Sequence, residues 1–173
     1  PGTNMSIKWL PDGTTQIVNG SAAQDVTIDD WTRGTVLTAT GTLTNNGTKG
    51  NPSLVADVLG DWREELLVRT SDSSALRFYT TTEPTAHKLT TLMHDVQYRA
   101  ETARQQTTYN QPSYTSFYLA SDVDWANVDW SNPPPEVQVY ADGFRMVEGE
   151  TLAALLEQYA EVAAVTDRLV EQV

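Results

Sequence analysis

Ser53-Leu54-Val55-Ala56-Asp57-Val58-Leu59-Gly60-Asp61-Trp62-Arg63-Glu64-Glu65-Leu66-Leu67-Val68-Arg69 sets two apolar-rich runs, 53–57 and 65–69, on either side of a central Gly60-Asp61-Trp62-Arg63. Both runs are of strand length and bounded by turn residues, and Leu76 to Thr80 supplies a third strand for the same sheet. Three strands with tight connections suggest the blade of a β-propeller.

Working outward, residues from Met5 to about Leu119 form short segments rich in Thr, Val, Leu, Tyr and Trp. Turn signals at Pro11-Asp12-Gly13, Asn19-Gly20, Asn45-Asn46-Gly47 and Asn51-Pro52 separate them. Ser6 to Leu10 alternates polar with apolar side chains, and Thr14 to Val18 returns after the turn, which predicts a hairpin. Thr35 to Leu43 alternates as well. Between Val96 and Thr107 the residues tolerate a short helix, and Pro112 cannot continue one. The fold class is therefore mainly β.

The chain changes character near residue 120. Residues 1–120 hold twelve acids against nine Lys and Arg, whereas 121–173 hold eleven acids against two arginines. Asn132-Pro133-Pro134-Pro135 favours a stiff extended backbone, because proline fixes its backbone angle and lacks a donor. From Glu148 onward Leu152, Leu155, Leu156, Tyr159, Val162, Leu169 and Val170 recur near helical spacing, with Glu157, Glu161 and Glu171 on the other face. The expected organisation is a β-domain over 1–120, a Pro-rich linker over 121–146 and an acidic amphipathic helical tail over 147–173.

Composition narrows the function classes. A formal charge of -12 argues against nucleic acid and anionic lipid, both of which select basic surfaces. Without cysteine there is neither a disulfide nor a thiolate nucleophile or metal site. No apolar run is long enough for a transmembrane helix. No Gly-rich phosphate loop, His-Glu metal helix or Gly-x-Ser-x-Gly elbow is present.

Four motifs in order carry a resemblance. Asn46-Gly47-Thr48-Lys49 followed by Ala56 to Glu65, then Ser74 to Thr81, then Thr91-Leu92-Met93-His94-Asp95 with Gln97-Tyr98-Arg99, then Tyr109-Asn110-Gln111-Pro112, are similar to the C-terminal part of rhamnogalacturonan lyases of polysaccharide lyase family 11. The resemblance covers roughly residues 5–120. It implies the C-terminal blades of an eight-bladed β-propeller, secretion, a pectic polysaccharide as substrate and calcium as cofactor. The expected reaction is β-elimination on rhamnogalacturonan I. That chemistry needs a base for the proton alpha to the uronate carboxylate and a cation for the carboxylate itself.

By the same resemblance Lys49 and Tyr109 contact substrate: Lys49 pairs with a galacturonate carboxylate as a point charge, and Tyr109 offers a ring and a hydroxyl. The competing readings are a solvated loop lysine and a partly buried aromatic. Asp57, Asp61 and Glu65, beside Glu64, resemble an acidic calcium-binding repeat, since calcium takes six to eight hard oxygen ligands. Leu59 and Trp62 stand where that repeat prefers Asp and Gly, so a structural turn competes with a metal site. His94 beside Asp95 reads as a hydrogen-bonded structural residue and His87 as an exposed turn residue. No catalytic residue is assigned within the chain, and lyase activity of the chain alone is not expected. The alternative is a non-catalytic carbohydrate-binding or interaction module. Expected macromolecular partners are the remaining propeller blades, or a further copy through self-association of open sheet edges.

Overall fold

The computed structural model describes residues 4–46, 49–105, 107, 111–125, 137–140 and 143–146. It divides into two units, Pro1–Pro133 and Pro134–Val173. In the first, β1 (Met5–Ile7), β2 (Gln16–Ser21), β3 (Gln24–Asp30) and β4 (Gly34–Ala39) form an antiparallel meander in sequence order. Its outer connections are the turn after β1 and the Trp31–Arg33 turn after β3, both at one end of the sheet because neighbouring strands reverse direction.

The alternation read over 35–43 is broken at Thr40 and Gly41. Gly41 adopts φ 75°, a left-handed conformation that side-chain-bearing residues avoid. The chain thereby leaves the first sheet, and β5 (Thr42–Leu43) joins a second one. There β6 (Leu54–Ala56), β7 (Glu65–Thr70) and β8 (Leu76–Tyr79) are the three strands expected from the sequence, with β7 pairing β5, β6 and β8.

The sheets share one core. Met5, Ile7, Val18, Val26, Ile28 and Ala39 of the first meet Val55, Leu66 and Val68 of the second, all buried. Because side chains alternate faces along a strand, the neighbours of Val55 and Leu66 point the other way. Leu54, Leu67 and Phe78 stand in cross-strand register on that second face, with Phe78 and Leu76 exposed.

A 3-10 turn, Leu92–His94, leads into α1 (Val96–Arg104). Asp95 caps the helix by accepting from Gln97 N–H at 2.9 Å, which supplies one of the orphan donors of a helix start. The helix ends at Arg104, before the boundary read near Pro112. Past its end, the Gln105 amide accepts from Val55 N–H at 3.0 Å and donates to Val55 O at 2.7 Å. One side chain thus pairs the free edge of β6 as a strand would.

In the second unit β9 (Val137–Tyr140) pairs with β10 (Gly143–Met146) as an antiparallel hairpin, within the stretch read as linker. The helical tail expected over 147–173 lies outside the described residues.

Candidate functional site

Among the described residues, the connection between β6 and β7 and its junction with β7 hold most of the buried charged side chains. Asp57 Oδ1 accepts from Gly60 N–H at 2.8 Å, and its Oδ2 accepts from Thr91 Oγ1 at 2.8 Å and Leu92 N–H at 2.7 Å. Glu65 Oε2 accepts from the Val58 and Leu59 amides at 2.9 and 3.0 Å. Asp61 accepts from Arg63 N–H and pairs with the Arg63 guanidinium. These oxygens close a turn and cap the 3-10 segment.

That arrangement does not fit calcium. The ion needs oxygens converging on one point, and here each carboxylate is turned onto N–H or O–H donors that an ion would displace. Among the described residues, no group of three or more His, Asp or Glu side chains is placed to hold a metal. Trp62 explains how the repeat-like sequence ends as a turn. It adopts the left-handed conformation that favours glycine, at φ 69°, while its indole is buried and donates to His87 O at 3.1 Å. A left-handed non-glycine residue is costly and persists when its surroundings fix it.

Glu64, two residues on, faces a different set of groups. Its Oε1 accepts from the Tyr98 hydroxyl at 2.6 Å and its Oε2 from Lys8 N–H at 2.7 Å, while Glu64 N–H donates to Lys8 O at 2.8 Å. The Tyr98 hydroxyl also accepts from Asp57 N–H at 3.0 Å. Burial pushes the Glu64 carboxyl up to about 7, against the lowering effects of Tyr98 and Lys8. Lys8 Nζ donates to Gly13 O and Leu119 O, both at 2.9 Å, and burial holds its ammonium below the usual lysine range. Lys8, Glu64 and Tyr98 border a cavity of about 140 Å³, with Ser6, Ser113 and Thr115 adding hydroxyls.

Adjacent glutamates at a strand entry were the available signal for this junction. Alternation obliges one of Glu64 and Glu65 to point inward, and here both are buried. Nothing in the local sequence marks Lys8 or Tyr98 as its partners.

Lys49 lies elsewhere. It precedes β6, whereas the acidic connection follows it, so the structure puts the two at opposite ends of that strand. Lys49 is half-buried, its carbonyl accepts from Asn51 N–H at 2.7 Å, and Asn51 Oδ1 accepts from Asn4 Nδ2 at 2.8 Å. Its loop therefore sits beside the start of β1. Tyr109 lies outside the described residues.

His87 is not the exposed turn residue expected. Its ring stacks on Trp125 with centroids 4.2 Å apart, and Trp125 meets Trp62 at 5.6 Å. His94 is exposed, and its neighbour Asp95 carries the structural bonds, to Gln97 N–H and to Ser116 N–H at 2.6 Å.

Solved structures with this fold define a class, the rhamnogalacturonan lyases. An exotype lyase, YesX, superposes with a TM-score of 0.64 at 46% identity, over 69% of this chain and 21% of that one. A Bacillus licheniformis rhamnogalacturonan lyase gives the same score and identity over 69% and 20%. Among curated proteins, the Bacillus subtilis rhamnogalacturonan endolyase YesW is 50% identical, over 70% of this chain and 20% of its own length. The Bacillus subtilis exolyase YesX is 51% identical, over 63% and 16%. The chain belongs to rhamnogalacturonan lyase family 11, whose C-terminal domain model matches residues 1–129. It spans about a fifth of the length of the relatives it matches.

Proposed function

We propose that the chain is the C-terminal part of a lyase that cleaves rhamnogalacturonan I by β-elimination outside the cell, and that it is inactive alone. The observation that carries this reading is the family match over 1–129, with a half-identical relative of which the matched segment makes up only 20%. Within that reading the two sheets are the closing blades of a propeller. The second face of the β6–β7–β8 sheet supports this, since Leu54, Leu67 and Phe78 form an apolar row on the face turned away from the shared core. A neighbouring blade would cover such a row. Lys49 and Tyr109 are its proposed substrate contacts, and no calcium site is assigned to Asp57, Asp61 and Glu65.

Half-identity to an endolyase and to an exolyase alike supports a further point: the mode of attack is set outside this segment. Formation of unsaturated uronate from rhamnogalacturonan I, followed by absorbance, tests the reading on the whole gene product and on the 173-residue chain. Turnover by the first and none by the second is expected. Absence of turnover from the whole product would overturn it.

A further inference from the structure

Trp31 is 94% exposed at the tip of the β3–β4 hairpin. The turn that carries it is closed by hydrogen bonds to the Asp30 side chain. Asp30 Oδ1 accepts from Thr32 N–H, Thr32 Oγ1 and Arg33 N–H at 2.8–2.9 Å, and Asp30 Oδ2 accepts from the buried Gln16 amide at 3.0 Å. Arg33 reaches Asp12 at 3.3 Å and Glu83 at 3.7 Å, which ties the tip to two other segments. Gly34 supplies the left-handed residue that closes the turn, at φ 75°.

We infer that Trp31 is the platform of an accessory carbohydrate-binding surface that takes a neutral pyranose of the pectic chain. This rests on the lyase reading for the polymer class. The surroundings choose the occupant. A protein interface needs a contiguous apolar area, and the chain neighbours of Trp31 in the turn are Asp30, Thr32 and Arg33, with Asp12 and Glu83 across the ion pairs. An exposed indole in a polar turn matches a sugar, whose C–H face is apolar and whose rim carries hydroxyls. Charge sets the type of sugar: one arginine among three carboxylates leaves the tip negative, which repels a uronate and admits a neutral ring. The turn backbone that carries the indole is already fixed by the Asp30 bonds, so binding costs little further backbone ordering. The turn lies at the end of the first sheet where β1 finishes, whereas the Lys49 loop meets Asn4 at the end where β1 starts, so the surface is separate from that contact.

Affinity electrophoresis of the full chain in gels containing rhamnogalacturonan I or homogalacturonan tests it. The wild-type chain should be retarded more strongly by rhamnogalacturonan I than by the all-uronate polymer, and only the first retardation should depend on Trp31. Trp31→Ala should weaken retention about tenfold, as loss of one tryptophan contact does, while Trp31→Phe keeps most of it and Lys88→Ala, at an exposed lysine with no assigned role, leaves it unchanged. Retention of Trp31→Ala equal to wild type overturns the surface, as does Trp31-dependent binding of homogalacturonan. A dimer in light scattering that Trp31→Ala abolishes assigns Trp31 to self-association instead and also overturns it. Uronate release by the whole enzyme is a separate readout: turnover with unaltered Trp31→Ala retention refutes the platform and leaves the lyase reading standing.

Discussion

Lys8 and Glu64 are joined twice: the Lys8 N–H donates to Glu64 Oε2 at 2.7 Å, and the Glu64 N–H donates back to Lys8 O at 2.8 Å. The chain just after β1 is thus held to the chain just before β7, and Tyr98 carries the link on to α1. Lys8 Nζ itself serves Gly13 O and Leu119 O, so the buried carboxyl is held by N–H and O–H donors while the ammonium bonds elsewhere.

Glu64 should make stability fall as pH rises. Its folded value of about 7 lies above the ordinary carboxyl value of 4.5. Below 4.5 both states hold the proton and nothing is lost. Between 4.5 and 7 the unfolded chain releases it and the folded chain does not, so stability declines and then levels off. The total is roughly 3 kcal/mol at 1.36 kcal/mol per unit. Denaturant midpoints of wild type and Glu64→Gln from pH 4.5 to 8 check this, with the decline expected to shrink markedly in the variant and the remainder to come from Glu65, whose carboxyl burial also raises. A flat wild-type profile would count against the buried acid.

Tyr98→Phe removes both halves of the hydroxyl bridge. Glu64 loses a donor, and the buried Asp57 N–H loses its acceptor. Unsatisfied buried groups cost about 1–3 kcal/mol each, so a loss of roughly 2–4 kcal/mol is expected. Because the Tyr98 bond lowers the Glu64 carboxyl, its removal should also move the pH-dependent decline upward. A variant as stable as wild type, with the same pH profile, would refute the bridge.

Strand content was legible where apolar alternation and turn residues agreed, as at Pro11-Asp12-Gly13 and in the strands around Gly60. β3 escaped because Gln24–Asp30 begins and ends polar, and only Val26 and Ile28 alternate inward. The acidic connection was legible as a cluster, with a structural turn and a metal site both open. The same carboxylates would serve metal or amide donors, and only the folded backbone decides which they meet. Junction partners far apart in sequence, such as Lys8 with Glu64 or Val55 with Gln105, leave no local signal because chain reversal alone brings them together.

Trp125 and the stretch beyond it should behave differently. Trp125 stacks on His87, touches Trp62 and packs where a Cβ on Gly13 would lie 3.1 Å from its ring. Trp125→Ala should therefore cost about 2–3 kcal/mol, below the range for a fully buried tryptophan because the ring is half-buried. Deletion from Ser131 onward should leave the β-domain's circular dichroism and melting temperature nearly unchanged, as expected of a segment beyond a domain boundary. A large fall in melting temperature on deletion would show that the tail is part of the β-domain's core.

The sharpest prediction concerns Lys49. In the whole enzyme, Lys49→Ala should lower kcat/KM by one to two decades, because a charge-assisted contact to a carboxylate contributes roughly 1.5–3 kcal/mol. The loop that carries it is closely packed: a Cβ on the adjacent Gly50 would come within 2.4 Å of Val18 O. Gly50→Ala is accordingly expected to destabilise the fold, whereas Lys49→Ala removes side-chain atoms without touching that contact. The two variants separate position from chemistry, since the glycine change should act on melting temperature and the lysine change on turnover. Lys88→Ala is the control, an exposed lysine with no assigned role. If Lys49→Ala and Lys88→Ala leave kcat/KM equally unaltered, Lys49 is an ordinary surface lysine and the carboxylate contact is refuted.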